Sequence, residues 1–318
     1  MKTIIILISF TLISSVLIGQ ENIIIGNGNI ITDTKNIFTI QPATNYLTAT
    51  DIQSGISKSL TVPQLNDMSD IVIKCANSTP DGYALGALYA KPDTSKKNRH
   101  IVFNGIFFYD KDGNYKSMFE FPDREFYAVA PWDVEAVVIA WGKKTFRAGE
   151  KFFVMGLTVT DRKGHVVAEL GEQRRYEVQE YLASIKSTWQ FHRLYWQNDQ
   201  LIYVDPTASE ITQFGKDMAV KKNIKAKVSG IPSDDLKGLN GFFMAGGKII
   251  HSLYGREDHR NVPYWAYADQ PDIIHPQSGQ FRTIHIIGDK YYLYMYDNSA
   301  GVGSLVQITD DNWQTLFQ

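Results

Sequence analysis

The chain has 318 residues, 44% hydrophobic and 21% charged, with a formal net charge of −2 and a single cysteine. This is an ordinary globular composition with enough apolar material for a large core, which excludes a chain too polar to fold. The near-zero charge gives no pull toward nucleic acid, and the lone Cys75 rules out an internal disulfide.

In chain order, Lys2, the apolar stretch Ile4 to Ile18 and the small Gly19 before Gln20 and Glu21 predict a signal peptide over residues 1–19. Cleavage near Gly19 would release a soluble, secreted or periplasmic protein with no stable membrane insertion. The alternative is an uncleaved N-terminal anchor, although the run is short of the roughly 20 residues a span needs. No Cys near the cleavage point marks a lipoprotein.

The remaining residues, 22–318, read as a single domain of six units, each of four short strands A to D. Unit one covers about Asn22 to Val62. Unit two has A at Asp70–Ala76, B at Tyr83–Ala90, C at Ile101–Tyr109 and D at Tyr115–Phe121. Cys75 falls in its strand A, as a small buried residue. Unit three has A at Phe126–Ala130, B at Ala136–Trp141, a loop over Gly142–Gly149, C at Phe152–Val159 and D at His165–Leu170. Unit four covers about Tyr176 to Phe214, unit five Leu239 to His275 and unit six Thr283 to Phe317. Between strands C and D each unit is expected to carry an acidic turn, clearest in Asp110-Lys111-Asp112-Gly113 and Asp161-Arg162-Lys163-Gly164. The positions Asp51, Asp110, Asp161, Asp205, Asp269 and Asp310 recur about every 52 residues. Strands rich in Val, Ile, Phe, Tyr and Thr, with weak helical periodicity, predict an all-β chain. The fold class expected is a six-bladed β-propeller of four-stranded antiparallel blades; paired β-sandwiches with ordinary hairpins are the alternative.

In such a propeller the A–B and C–D turns share one face and the B–C and D–A connections share the other. The Asp turns then serve turn geometry on the plainer face. Asp110, Asp112 and Asn114 lack the full ligand set of a calcium loop, and no metal or other cofactor is expected. The opposite face gathers basic loops: Lys91, Lys96, Lys97 and Arg99 in unit two; Lys143, Lys144 and Arg147 in unit three; Arg256, Asp258, His259 and Arg260 in unit five. Separated cations on one rim sum their potentials and attract anions. Asp258 could orient the His259 imidazole. Trp265, with Tyr264 and Tyr267, offers a stacking platform for sugar rings, core packing being the alternative. His192 and Arg193 sit in the aromatic strand Trp189–Trp196, and one of them is expected in the central channel.

The strand–Asp-x-x-Gly–strand units Phe108-Tyr109-Asp110-Lys111-Asp112-Gly113 and Val159-Thr160-Asp161-Arg162-Lys163-Gly164 resemble six-bladed propellers of the broad NHL-repeat and gluconolactonase-like type. A second, local resemblance covers Gly288-Asp289-Lys290-Tyr291-Tyr292-Leu293-Tyr294 and Thr309-Asp310-Asp311-Asn312-Trp313, which look like a blade of arabinanase-type propeller glycosidases. These resemblances imply a propeller and keep carbohydrate in view. Three functions are expected in order: a secreted propeller binding a protein partner or an anionic glycan on its loop face; an extracytoplasmic carbohydrate-active enzyme, glycosidase- or lyase-like; and a lactonase-like metal hydrolase. A shallow basic face favours the first, a pocket with paired acids or with His, Tyr and Arg the second, and a central carboxylate cluster the third.

Overall fold

Runs such as Phe126–Ala130 and Val137–Trp141 are buried along their whole length, although a strand with one wet face would alternate. The reason is that each sheet lies between two others. The computed structural model describes residues 16–18, 22–25, 29–40, 44–65, 68–95, 100–121, 123–147, 150–177, 192–233, 237–258, 260–277, 283–297 and 302–317. Strands β1 (Val16–Ile18) and β2 (Asn22–Ile25) come first. Blade I is β3 (Asn29–Thr32), β4 (Asn36–Ile40), β5 (Tyr46–Asp51) and β6 (Ser57–Thr61). Blade II is β7 (Ser69–Thr79), β8 (Gly82–Pro92), β9 (His100–Asp110) and β10 (Tyr115–Phe121). Blade III is β11 (Glu125–Pro131), β12 (Ala136–Arg147), β13 (Glu150–Asp161) and β14 (Val166–Glu177). Blade IV is β15 (Arg193–Gln197), β16 (Gln200–Asp205), β17 (Glu210–Phe214) and β18 (Val220–Lys225). Blade V is β19 (Lys237–Ala245), β20 (Lys248–Glu257), β21 (Arg260–Tyr267) and β22 (His275–Pro276). Blade VI has β23 (Ile284–Ile287), β24 (Lys290–Asp297) and β25 (Val302–Ile308), followed by the short helix α1 (Trp313–Phe317).

Every blade is an antiparallel meander, and the protein is an all-β, six-bladed propeller. The first strands form the inner ring: β3 packs on β7, β7 on β11, β11 on β15, β19 on β23, and β23 on β3. Blade VI takes its fourth strand from the start of the chain, where Ile23 pairs with Leu305 and Ile25 with Gly303; β1 then adds a fifth strand beside β2. Ile23 and Ile25 are buried against Ile37 and Leu305, so the closure is an apolar seam. Residues 22–25 therefore belong to the last blade, not to unit one as expected.

The Asp turns owe their recurrence to two constraints. In blade II, Asp110 Oδ1 accepts the backbone N–H groups of Asp112 and Asn114, both at 2.9 Å. In blade III, Asp161 Oδ1 accepts those of Lys163 and His165 at 2.8 and 2.9 Å. Gly113 and Gly164 both sit at φ +85°, and a Cβ would lie 3.2 Å from the Ser59 carbonyl in one case and 3.0 Å from the Phe119 ring in the other. Each turn thus needs a left-handed residue and also touches the outer strand of the preceding blade. The Asp51 turn of blade I follows the same pattern, accepting Gln53 and Ser54 N–H groups.

Two expected boundaries differ. The loop over Gly142–Gly149 is mostly strand, because the β12–β13 pairing continues to Arg147 opposite Glu150. Unit four is one strand out of phase. Strand β14 runs on to Glu177, and blade IV begins at Arg193, so Asp205 ends its second strand rather than its third. Asp205 therefore lies on the B–C loop face. Cys75 is buried on β7, where an added Cβ at Gly86 would meet its Sγ at 2.4 Å, and burial pushes its thiol pKa up to about 12.

Candidate functional site

Among the described residues, side-chain bonds tie the inner strands to one another. Asn77 on β7 donates its amide to the carbonyls of Val129 (3.0 Å) and Leu194 (3.4 Å), joining three inner strands. The cavity between β3, β15, β19 and β23 has a volume of about 20 Å3, the size of one water. Arg193 lines it, retaining part of its surface while its setting in the ring lowers the guanidinium pKa to about 10. Its Nη1 donates to the His192 carbonyl at 3.0 Å. His285 also faces this centre, with Nδ1 3.3 Å from Thr32 Oγ1 and Nε2 3.0 Å from Thr283 Oγ1.

Chemistry gathers in a groove of about 260 Å3 between blades III and IV, whose lining runs from Asp205 at the loop-face end of β16 to Phe214 and Val220 at the β17–β18 turn. Strand β14 supplies Arg174 just past a bulge at Gly171. Strand β16 ends in Asp205, and after the turn β17 opens with Glu210. Arg174 bridges the two carboxylates: Nη1 donates to Asp205 Oδ2 at 2.9 Å and Nη2 to Glu210 Oε2. Asn223 on β18 donates to Glu210 Oε2 at 3.1 Å, and Lys225 lies 3.7 Å from its Oε1 at the mouth. The Asp205 side chain is only 2% exposed, against 14% for Glu210. Burial raises the Asp205 carboxyl above its ordinary range although Arg174 and the Ala208 N–H oppose the shift. Tyr203 and Phe214 form the apolar part of the wall.

Behind the wall, His192 is buried between Tyr127 (ring centroids 5.0 Å) and Tyr203 (6.0 Å), with Nδ1 3.0 Å from the Tyr203 hydroxyl. Burial lowers its pKa to about 3, with Arg193 adding to the effect, so it is neutral at physiological pH. Arg174, Asp205, Glu210 and Asn223 form the polar cluster of the groove, and Tyr203 separates it from the buried His192. The strand expected over Trp189–Trp196 starts only at Arg193, and residues 189–191 lie outside the described residues.

The other expected residues are placed as follows. Arg256, Asp258 and Arg260 lie on the β20–β21 hairpin of the loop face, with the Arg256 N–H donating to Ser233 Oγ at 3.1 Å. His259 lies outside the described residues, as do Lys96, Lys97 and Arg99. Lys143 and Lys144 are strand residues of β12 because the hairpin is longer than expected; Lys143 pairs with Asp123, Lys144 is exposed, and Arg147 ends the strand. Lys91 pairs with Glu120 at 2.5 Å. Among the described residues, Lys91 and Lys143 are each taken up by a carboxylate of their own blade or the loop beside it. Trp265 is not a surface platform. It is 5% exposed, stacked on His275 at 4.0 Å and edge-on to Trp313 at 5.2 Å, because α1 folds over blade V and covers it. Among the described residues no three His, Cys, Asp or Glu side chains are placed to hold a metal ion.

No family model matches the chain, and no curated protein matches it. Solved structures similar to it include a protein of unknown function from Bacteroides caccae, 10% identical over 85% of this chain and 86% of that one, with a TM-score of 0.39. The β-propeller domain of the Trilobed protease from Pyrococcus furiosus is 13% identical over 91% and 80%, with a TM-score of 0.34. The parainfluenza virus 5 hemagglutinin-neuraminidase ectodomain is 7% identical over 90% and 76%, with a TM-score of 0.42.

Proposed function

We propose that this protein is an exported glycan-binding propeller, whose loop face holds an acidic sugar residue in the groove between blades III and IV. The observation that carries the reading is the Arg174–Asp205–Glu210–Asn223 cluster over Tyr203 and Phe214. Carboxylates, a guanidinium and an amide side by side match the alternating donors and acceptors of sugar hydroxyls, while ring walls take the apolar sugar face. A volume of about 260 Å3 lies below the roughly 300–1,000 Å3 of drug-sized pockets and suits one sugar ring. Arg174 and Lys225 offset the Asp205 and Glu210 carboxylates, and exposed Lys144 on the neighbouring blade adds positive charge that an acidic group on the glycan would meet. Export rests on the leader pattern from Lys2 to Gly19.

Calorimetry with oligogalacturonate and with a sulfated oligosaccharide tests this. Arg174→Ala and Asn223→Ala should each weaken binding about ten-fold, roughly 1.4 kcal/mol. Arg256→Ala with Arg260→Ala should weaken it about two-fold, as remote charges do. Loss confined to the Arg256–Arg260 pair would move the site to the blade V hairpin, and no binding to either probe would end the reading.

A second reading, a carbohydrate-active enzyme, is favoured by one feature: Asp205 and Glu210 share a guanidinium, and burial holds Asp205 toward its protonated form beside a second carboxyl. Release of reducing ends from a bound oligosaccharide, abolished by Glu210→Gln with binding retained, would establish it. Binding without turnover keeps the first reading.

A further inference from the structure

The opposite, turn face carries a second cleft, of about 300 Å3, where blades II, III and IV meet. Its floor is a pair of half-buried indoles. Trp132 comes from the turn after β11 and Trp196 from the inner strand β15, with ring centroids 5.4 Å apart and planes inclined at 52°. The Trp196 indole is held by its Nε1, which donates to the Pro131 carbonyl at 2.6 Å, and the Trp132 backbone N–H donates to the Ala136 carbonyl at 2.9 Å, which closes the turn that carries that ring. Rings this close touch each other, so a ligand cannot enter between them. They present instead a continuous stepped platform.

Polar groups ring this platform. Asp133 is exposed, with Oδ1 accepting the Glu135 N–H at 2.8 Å and Oδ2 in no hydrogen bond among the described residues. Asn198 and Asp199 form the two-residue turn between β15 and β16, at φ +50° and +59°, with Gln197 paired to Gln200. Such a turn holds both side chains at the rim in a fixed direction. The Asn198 amide makes no hydrogen bond among the described residues. Asp199 pairs with Lys216 at 2.8 Å, but both are largely exposed, so the pair is weak and exchangeable.

We propose that this cleft binds one face of a neutral pyranose ring, stacked on Trp132 and Trp196, with hydroxyls held by Asp133, Asn198 and Asp199. A pyranose has an apolar C–H face, and its hydroxyls each donate and accept. An aromatic platform with carboxylate and amide oxygens at its edge satisfies both at once. The rim carries Asp133, Glu135 and Asp199 against Lys216, an acidic surround that repels uronates and sulfates. Its ligand therefore differs in charge from that of the loop-face groove, and the proposal does not depend on that groove.

The test is titration of the full chain with cellohexaose, xylohexaose, laminarihexaose and mannohexaose, followed by calorimetry and tryptophan fluorescence. At least one should bind and perturb the fluorescence. Trp132→Ala should lower its affinity ten-fold or more. Asp133→Ala combined with Asn198→Gly, a surface change that keeps the left-handed turn, should lower it several-fold, while Asn223→Ala on the other face, which costs little stability, leaves it unchanged. Failure of all four sugars to bind, or binding unmoved by the Asp133/Asn198 variant, would overturn the proposal. Binding lost only with Asn223→Ala would overturn it equally, by assigning the sugar to the other face.

Discussion

At the scale of single residues, the glycines of the blade II and blade III acidic turns carry two demands at once. Gly164 needs a positive φ and has the Phe119 ring at 3.0 Å from where a Cβ would stand. Gly164→Ala should destabilise the protein by about 1–3 kcal/mol, the cost of a left-handed non-glycine residue plus the contact. Urea unfolding measures it, and a change below about 0.5 kcal/mol would show that the turn simply relaxes. The buried histidines set the acid limit. Burial lowers His192 to about 3, His251 to about 4 and His285 well below its ordinary value. Since the unfolded chain protonates near pH 6.5, stability is full above that pH. It is lost as the pH falls toward the folded values, at up to about 1.4 kcal/mol per pH unit for each ring. Asp33 and Asp205 work the other way, because burial raises their carboxyl pKa and the folded state gains as they protonate. That gain comes only as the pH falls through their folded values toward the ordinary carboxylate range. The thermal midpoint should therefore drop from pH 6.5 to 5, the three histidines taking up protons on unfolding at pH 5 and Asp33 and Asp205 offsetting part of that uptake. A flat midpoint over that range would contradict the burial of these rings.

At the scale of elements, closure of the ring rests on four residues. If the leader is cut near Gly19, β1 is lost but β2 stays, and blade VI keeps four strands. A chain starting at Gln20 should match the full chain in unfolding midpoint. A chain starting after Ile25 exposes the edge of β25 and removes buried Ile23 and Ile25, which together contribute about 3–6 kcal/mol. It should unfold several degrees lower and self-associate, as size-exclusion chromatography would read. Equal midpoints would mean that the seam does not hold the ring.

The same elements show what the sequence discloses. Blade II was legible to within about three residues, and the strand order of blade III was legible although β12 and β14 run well past the expected Trp141 and Leu170, because hairpins closed by Asp-x-x-Gly turns leave a local signal. Blade IV was not, since Asp205 makes the same carboxylate-to-backbone contacts after its second strand that Asp110 makes after its third. The chemistry that caps a turn does not say which turn it is. Phase error then hid the groove: Arg174 and Glu210 stand on different blades, and a contact between blades leaves no period along the chain. His192 was visible as a histidine in an aromatic stretch; its neutrality follows from rings of Tyr127 and Tyr203 that only the fold brings to it. Trp265 shows the converse, a tryptophan in a charged neighbourhood that α1 buries.

At the scale of the molecule, the six blades carry two candidate binding faces, the loop face and the turn face. Polar ties cross between blades on both faces: Asp33 accepts the Ser78 N–H at 2.6 Å between blades I and II, Arg162 pairs with Asp81 between blades III and II, and Arg174 joins Asp205 between blades III and IV. The last of these is also the heart of the loop-face groove, so ligand binding there should stiffen the blade III–IV junction. Arg174→Ala leaves Asp205 buried without its ion-pair partner and should cost about 3 kcal/mol of stability, whereas Asn223→Ala should cost under about 1. Binding losses are therefore best read from Asn223→Ala. The most direct test of the whole account is a crystal structure of the protein soaked with an acidic oligosaccharide. The account predicts one sugar ring between blades III and IV, its oxygens within hydrogen-bond distance of Arg174, Glu210 and Asn223. A ligand seated on the Arg256–Arg260 hairpin with an empty blade III–IV groove would contradict it.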